Sequence, residues 1–335
     1  MRRVKGCIVK SYNYLIARKW INKNTKFCRK IRSMFFHNIC HEWNCSFGKL
    51  NPDRVFYVIR CAKSDLGFFG MYNSVVYHIA IALQKGAEPV IDWRHYPNDY
   101  ILEDDAVGKL NAWEDYFKQA TDVTLDEVYH SKNVIMSSGA TAPGLDEIYD
   151  LDMVAKSQRI VEQYVVLKPE ILQICEAEFK RLKMDCNRVL GVKCRGTDFV
   201  ATKPTGHSIC PSTQQTIDVI EEKRKEWGEF DYIFLATEDE LIFRQMKEYY
   251  GEKIISNETE RIRDTDGKWL NELFDSQSEY SHSKKARMIE YVISVYLLSK
   301  CDALIAPIVG ATLGAMRMRT THYENLYLFQ LGNYK

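Results

Sequence analysis

Val189-Leu-Gly-Val-Lys-Cys-Arg-Gly-Thr-Asp-Phe199 is a short apolar run that stops abruptly at Arg195, Gly196, Thr197 and Asp198. A buried parallel strand reads this way when it delivers a charged side chain to the carboxyl edge of a sheet, where open α/β sheets bind their ligands. A guanidinium there is a permanently charged, forked donor suited to a diphosphate. The glycine after it lets backbone or ligand come close. The plainer reading of the same residues is a strand end with a surface Arg–Asp ion pair.

Further strands follow the same pattern. Asp231-Tyr-Ile-Phe-Leu-Ala236 is a second buried run, stopped by Thr237, Glu238 and Asp239. Lys253-Ile-Ile255, Ala303-Leu-Ile-Ala306 and Tyr327-Leu-Phe329 are shorter ones. Between them lie helical patterns at 213–227 (with Ser212 as its N-cap), 241–250, 286–300 and from Ala311. Upstream, Val55-Phe-Tyr-Val-Ile59, a loop over 61–73 with Gly67, Gly70 and Asn73, helical spacing over 72–85 and the strand at 87–92 make one βαβ unit. Gly86 stands where a helix C-cap belongs. Residues 133–136 add a strand, and 151–185 read as helix, with Pro169 and Glu170 opening a new one. Strands alternate with helices in two series, which predicts an α/β protein of two Rossmann-like domains.

The chain of 335 residues, 46% hydrophobic, has room for two domains at about 150 residues each. Its formal charge of +1 is unevenly spread: residues 1–41 hold eleven Lys or Arg and no Asp or Glu, leaving −10 on the remainder. Apolar and basic side chains interleave over 12–36, as in an amphipathic helix for an anionic membrane surface or in a solvated helix packed on the body. No recognised nucleic-acid fold accompanies the basic arm. The ten cysteines form no C-x-x-C pair and no zinc-ligand spacing, the pattern of reduced thiols in a cytosolic setting. No stretch approaches the roughly 18 apolar residues of a transmembrane helix, and the N-terminus makes a poor signal peptide. The expected divisions are an arm at 1–48, a first domain at 49–165 and a second at 166–335.

Four features recur in order in one enzyme group: the strand ending Arg195-x-Thr197-Asp198, the strand ending Leu235-Ala-Thr-Glu-Asp239, the passage Tyr296-Leu-Leu-Ser-Lys-Cys-Asp302 and the turn at 307–312. Together they resemble the GDP-fucose-dependent fucosyltransferases of GT-B fold, a superfamily that includes the eukaryotic α-1,6-fucosyltransferase, the bacterial nodulation fucosyltransferase and the protein O-fucosyltransferases. The match spans roughly 185–315. A weaker one lies at Gly67-Phe-Phe-Gly-Met-Tyr-Asn73, where protein O-fucosyltransferases have a similar glycine–Asn loop. The chain looks most like bacterial relatives acting on surface polysaccharides.

The resemblance implies a GT-B architecture of two facing domains, the second holding GDP-fucose and the first the acceptor, with inversion at the anomeric carbon and no metal or other cofactor. Arg195 would grip the diphosphate, and Thr197 and Asp198 would orient it or the sugar hydroxyls. Glu238, Asp239, Asn73 and the helix-opening Gly310, Ala311 and Thr312 would complete the donor site. His207 is a candidate base and Lys203 a candidate charge beside the diphosphate; Asp92 and His95 are rival bases. Glu290 would replace the family's base-selecting acid, whose aligned position is Ser294. Departures are Gly196 for a second arginine, Lys193 for a histidine, and a final turn with Thr312 as its hydroxyl donor. Trp93, Tyr96, Trp113, Tyr116 and Phe117 would stack on sugar rings or pack the core. Lys284, Lys285 and Arg287 would form a lid or an exposed cluster. The implied partners are a nucleotide sugar, a glycan or lipid-linked glycan, and the inner membrane face, with no nucleic acid. A different nucleotide sugar, or nucleotide binding without catalysis, are the rival readings.

Overall fold

The computed structural model describes residues 42–60, 67–95, 109–138, 150–196, 202–203, 205–263 and 282–335. The basic arm over 1–41 lies outside them, as do Thr197, Asp198 and Tyr96. The chain divides into two compact units, Met1–Lys168 and Pro169–Lys335.

The first unit contains β1 (Trp43–Cys45), β2 (Leu50–Arg60), α1 (Phe68–Gln84), β3 (Glu88–Asp92), α2 (Leu125–Val128), β4 (Ser131–Met136) and α3 (Leu151–Tyr164). Its sheet runs β1-β4-β2-β3. β2 is parallel to both neighbours, with Val58 opposite Val90 and Met136, and β1 is antiparallel to β4. Residues 56–59 are buried on both faces, as the apolar run requires of a central parallel strand. β2 starts earlier than the run, through Pro52, and its register shifts between Leu50 and Val55; proline is tolerated at such an irregularity.

Two readings are corrected here, and one open alternative is decided. Trp43–Cys45, assigned to the helical arm, is a strand of the sheet. The loop expected over 61–73 gives way to helix at Phe68, because Phe68, Phe69, Met71 and Tyr72 all bury. Asn73 therefore sits inside α1, 1% exposed, rather than in a loop. Finally, Trp93, Trp113, Tyr116 and Phe117 are fully buried. They close around Phe68, with ring centroids 5.0 Å from it to Tyr116 and 4.4 Å between Trp113 and Phe117. Their apolar area is spent on the core, at roughly 2–3 kcal/mol each, and not on a sugar. Gly86, at φ +64°, reverses the chain after α1 as expected.

The second unit contains α4 (Pro169–Arg181), β5 (Val189–Lys193), α5 (Thr213–Trp227), β6 (Tyr232–Ala236), α6 (Glu240–Tyr250), β7 (Ile254–Ile255), α7 (Lys284–Lys300), β8 (Ala303–Pro307), α8 (Gly310–Met318) and β9 (Asn325–Phe329). Ser212 caps α5, accepting from Gln215 N while Gln215 Oε1 accepts from Ser212 N. The sheet is entirely parallel, in the order β7-β6-β5-β8-β9. From β5 the chain steps outward to β6 and β7, then α7 returns it to β8 on the other side of β5. That reversal is a topological switch point, and it falls between the carboxyl ends of β5 and β8. Leu190, Val192, Ile233, Leu235 and Ile305 pack one continuous core with Ile220 and Met246 from the helices. Cys194 belongs to it as a buried free thiol, pushed up to about 12 by burial. Among the described residues no helix is long and apolar enough to cross a membrane.

Candidate active site

β5 ends in Lys193, whose side chain is 3% exposed. An ammonium so deep needs a counter-charge, and Glu238, just past β6, supplies it at 2.8 Å. Burial alone would lower the lysine and raise the carboxyl. The reverse holds: Glu238, with Tyr291, keeps Lys193 above its ordinary value. Lys193 and Arg195 in turn hold Glu238 below the usual carboxylate range. Arg195 thus stands close enough to act on Glu238, and its guanidinium adds a positive charge to this edge of the sheet.

Gly196 has a steric cause. A Cβ there would overlap Asp239 Oδ2 and come within 2.7 Å of Ile242 Cδ1. Asp239 is fixed in place because its Oδ1 caps α6, accepting from Leu241 N at 2.8 Å and Ile242 N at 3.0 Å. A side chain at the position of the second arginine would therefore have to displace Asp239 and Ile242. Asp239 serves as a helix cap, and Glu238 as the counter-ion of Lys193.

His207 shares this edge. Burial and the Arg195 charge both push its imidazole down, so it is neutral near pH 7 but disfavoured as a proton acceptor. Its loop is pinned by residues beyond β9: Gly206 N donates to Tyr334 O, Tyr334 N to His207 O and Ile209 N to Gly332 O, each at 2.9 Å. Lys203 is exposed, with a left-handed φ of 43°.

Across the switch point, Val309 is extended and α8 begins at Gly310 without a side-chain cap. A helix N-terminus carries partial positive charge and favours anions. Ala311 and Thr312 are buried in its first turn, and the Thr312 hydroxyl donates to Pro307 O at 2.8 Å. The one hydroxyl proton of the turn is thus held by the main chain.

Glu290, on α7, takes His282 Nδ1 at 2.5 Å on one oxygen and Glu260 N at 3.1 Å on the other. Arg287 pairs with Glu260 at 3.2 Å. These contacts tie the start of α7 to residues 256–262, which join the Glu238 edge through Ile262 N donating to Glu238 O. Arg287 of the expected lid is accordingly engaged.

The structure gathers Arg195, Glu238, Asp239 and His207 at the edge of β5, with Gly310, Ala311 and Thr312 at the neighbouring edge of β8. Asn73 belongs to the other unit, as do Asp92 and His95. Lys193 is the residue whose role the sequence reading missed; its signal was a lysine inside a run otherwise free of charge. Among the described residues no group of three or more His, Cys, Asp or Glu side chains is arranged to hold a metal ion.

An all-parallel sheet whose strand order reverses at β5 defines the second unit as a doubly wound α/β domain, a fold that binds its ligands at such a switch point. No model of a protein family matches the chain, and no curated protein matches it in sequence. Among solved structures it is similar to fucosyltransferase NodZ from Bradyrhizobium, with TM-score 0.48 and 13% identity over 79% of this chain and 92% of that one. It is also similar to POFUT1 in complex with GDP-fucose (TM-score 0.36, 14% identity, 83% and 74% covered). FUT1 of Arabidopsis thaliana in complex with GDP gives TM-score 0.43 and 10% identity, over 96% of this chain and 79% of that one.

Proposed function

We propose that the chain is a glycosyltransferase that binds a nucleoside-diphosphate sugar, GDP-fucose foremost, at the β5–β8 edge of its second unit. The carrying observation is Arg195 at the switch point, beside the Lys193–Glu238 pair, with the first turn of α8 at the neighbouring strand end. Lys193 and Glu238 neutralise each other, and the same edge presents a guanidinium and a helix N-terminus. Both favour an anion.

As the bond from sugar to diphosphate breaks, negative charge grows on the leaving oxygen. A fixed guanidinium stabilises that charge more than the ground state. The motifs ending at Asp198 and Asp239, with the passage to Asp302, support fucose as the sugar and inversion as the outcome. The acceptor in this reading is a polysaccharide or lipid-linked oligosaccharide. The eleven Lys and Arg of residues 1–41 would hold the enzyme at the inner face of the membrane, at roughly 1 kcal/mol per charge near an anionic surface.

A second reading keeps the fold and changes the nucleotide. It is favoured by Ser294 at the base-selecting position, and by Glu290 being occupied with His282 and Glu260 N. Thermal shifts with GDP, UDP and CMP separate the two. A ligand at about 100 times its dissociation constant adds about 2.7 kcal/mol to the native state, and only the cognate base does so. Hydrolysis of GDP-fucose then tests catalysis, and Arg195→Ala is expected to slow it by about 10²–10³-fold. Unchanged turnover in that variant would remove the donor-site assignment.

A further inference from the structure

Arg261, in the second unit, carries a charge that the fold leaves unmatched. It precedes Ile262, which is 1% exposed and bridged to Asp239 beyond the end of β6. Ile262 N donates to Glu238 O at 2.8 Å and Glu240 N donates to Ile262 O at 3.0 Å, so this segment extends the sheet beside the carboxyl end of β6. Residues flanking a bridged position point away from it. With Ile262 in the core, Arg261 and Arg263 project from the opposite side, Arg261 half-buried and Arg263 exposed.

Arg261 Cζ stands 3.7 Å from the centre of the Phe243 ring, in the first turn of α6. Its Nη2 donates to Ser256 Oγ at 2.8 Å, just past the end of β7. Its Nε is buried and makes no hydrogen bond. Burial pushes the guanidinium below its ordinary value, and the Glu240 charge offsets only part of that. Glu240 is itself paired with Arg244 at 2.8 Å. Among the described residues no carboxylate comes within ion-pair distance of Arg261 or Arg263. Elsewhere in the unit Arg188, Arg224 and Arg287 each meet one, at 3.1, 2.8 and 3.2 Å. A charge withdrawn from water without a counter-charge costs free energy, and a ring face returns only part of it. Ser256 Oγ accepts from Arg261, and its own proton has no acceptor among the described residues.

We propose that Arg261, Arg263 and the Ser256 hydroxyl form an oxyanion site at the carboxyl edge of β6 and β7, taking a phosphate-type group. Open α/β sheets bind ligands at that edge. Two forked donors and a hydroxyl, with no competing acid, suit a tetrahedral anion. The site lies at different strand ends from Arg195 and does not rest on the transferase reading. The diphosphate of a nucleotide and a phosphate carried by another ligand share the chemistry it recognises.

Binding of inorganic pyrophosphate to the full chain, measured by calorimetry at constant ionic strength, tests the site. An Arg195→Ala background removes any contribution from the end of β5. In it, Arg261→Met with Arg263→Gln is expected to weaken binding by about 10-fold or more, and Arg263→Gln alone, at an exposed position, by less. The ligand-free Arg261→Met chain should unfold at the native urea midpoint or above it, because a desolvated charge is gone while an aliphatic stem still covers Phe243. A lowered midpoint with unchanged pyrophosphate affinity would make the arginine purely structural and overturn the site. Failure of the Arg195→Ala chain to bind pyrophosphate would overturn it too. The source of the anion is read from the native chain saturated with GDP. Pyrophosphate that still binds there, and is lost in the double variant, identifies a separate phosphate-bearing ligand. Pyrophosphate excluded there, with GDP bound more weakly by the double variant, identifies the nucleotide's own diphosphate. Absence of GDP-fucose turnover would remove the transferase reading and leave this site standing.

Discussion

Lys193→Met removes the ammonium at the carboxyl end of β5 and leaves the Glu238 carboxylate with Arg195 as a nearby charge. The lysine is 3% exposed and its partner 20%, so water replaces little of the lost interaction. Breaking a buried pair on one side costs about 3–5 kcal/mol, because the remaining charge stays desolvated. At about 2–4 °C per kcal/mol for a unit of this size, the melting temperature of the second unit should fall by about 6–20 °C. Urea unfolding should show a lower midpoint at constant slope. The pH dependence has a definite sign. Glu238 is held below its ordinary 4.5 when folded. Its contribution is therefore present above that value and is lost as pH falls through the folded value. In Lys193→Met the carboxyl is released upward, so this part of the acid destabilisation should weaken. Adding Glu238→Gln should recover part of the loss, giving a coupling energy well above 1 kcal/mol in a double-mutant cycle. A single variant within 1 kcal/mol of the native chain, or strictly additive losses, would refute a buried pair supporting Arg195.

Gly196→Ala should displace the Asp239 carboxylate and undo the α6 cap, a loss of about 1 kcal/mol or more in urea unfolding, with weakened GDP binding by calorimetry. Trp113→Ala should cost about 3–5 kcal/mol of stability yet leave the affinity of the surviving folded protein for GDP unchanged, as befits a core residue. Removing residues 1–41 should abolish sedimentation with phosphatidylserine-containing vesicles while preserving the GDP-induced thermal shift, and high salt should mimic the deletion.

The second unit was legible because fully buried parallel strands are unbroken apolar runs. β5 and β6 announced their carboxyl ends by the polar residues that stopped them, and β8 by Pro307 and the glycine turn after it. The switch point followed from their order in space, which sequence does not contain. β1 escaped because three residues, Trp43 to Cys45, are too few to show a period. Its position beside a basic segment also favoured a helical reading. The start of α1 escaped because Gly67 and Gly70 outweighed Phe68, Phe69 and Tyr72, whose burial against Trp93, Tyr116 and Phe117 depends on distant chain. The same tertiary packing decided the fate of the aromatic side chains, for which composition offers no guide. At the site, Arg195 was read from its place in the strand. The roles of Lys193 and Glu238 needed geometry, since a charge pair 45 positions apart has no periodic signature.

Residues 332–334 and the loop of His207 are joined by main-chain bonds into a small latch. Proteolytic trimming before Gly332 would release that latch. It would free the loop of His207 without disturbing the sheet, whose last strand ends at Phe329.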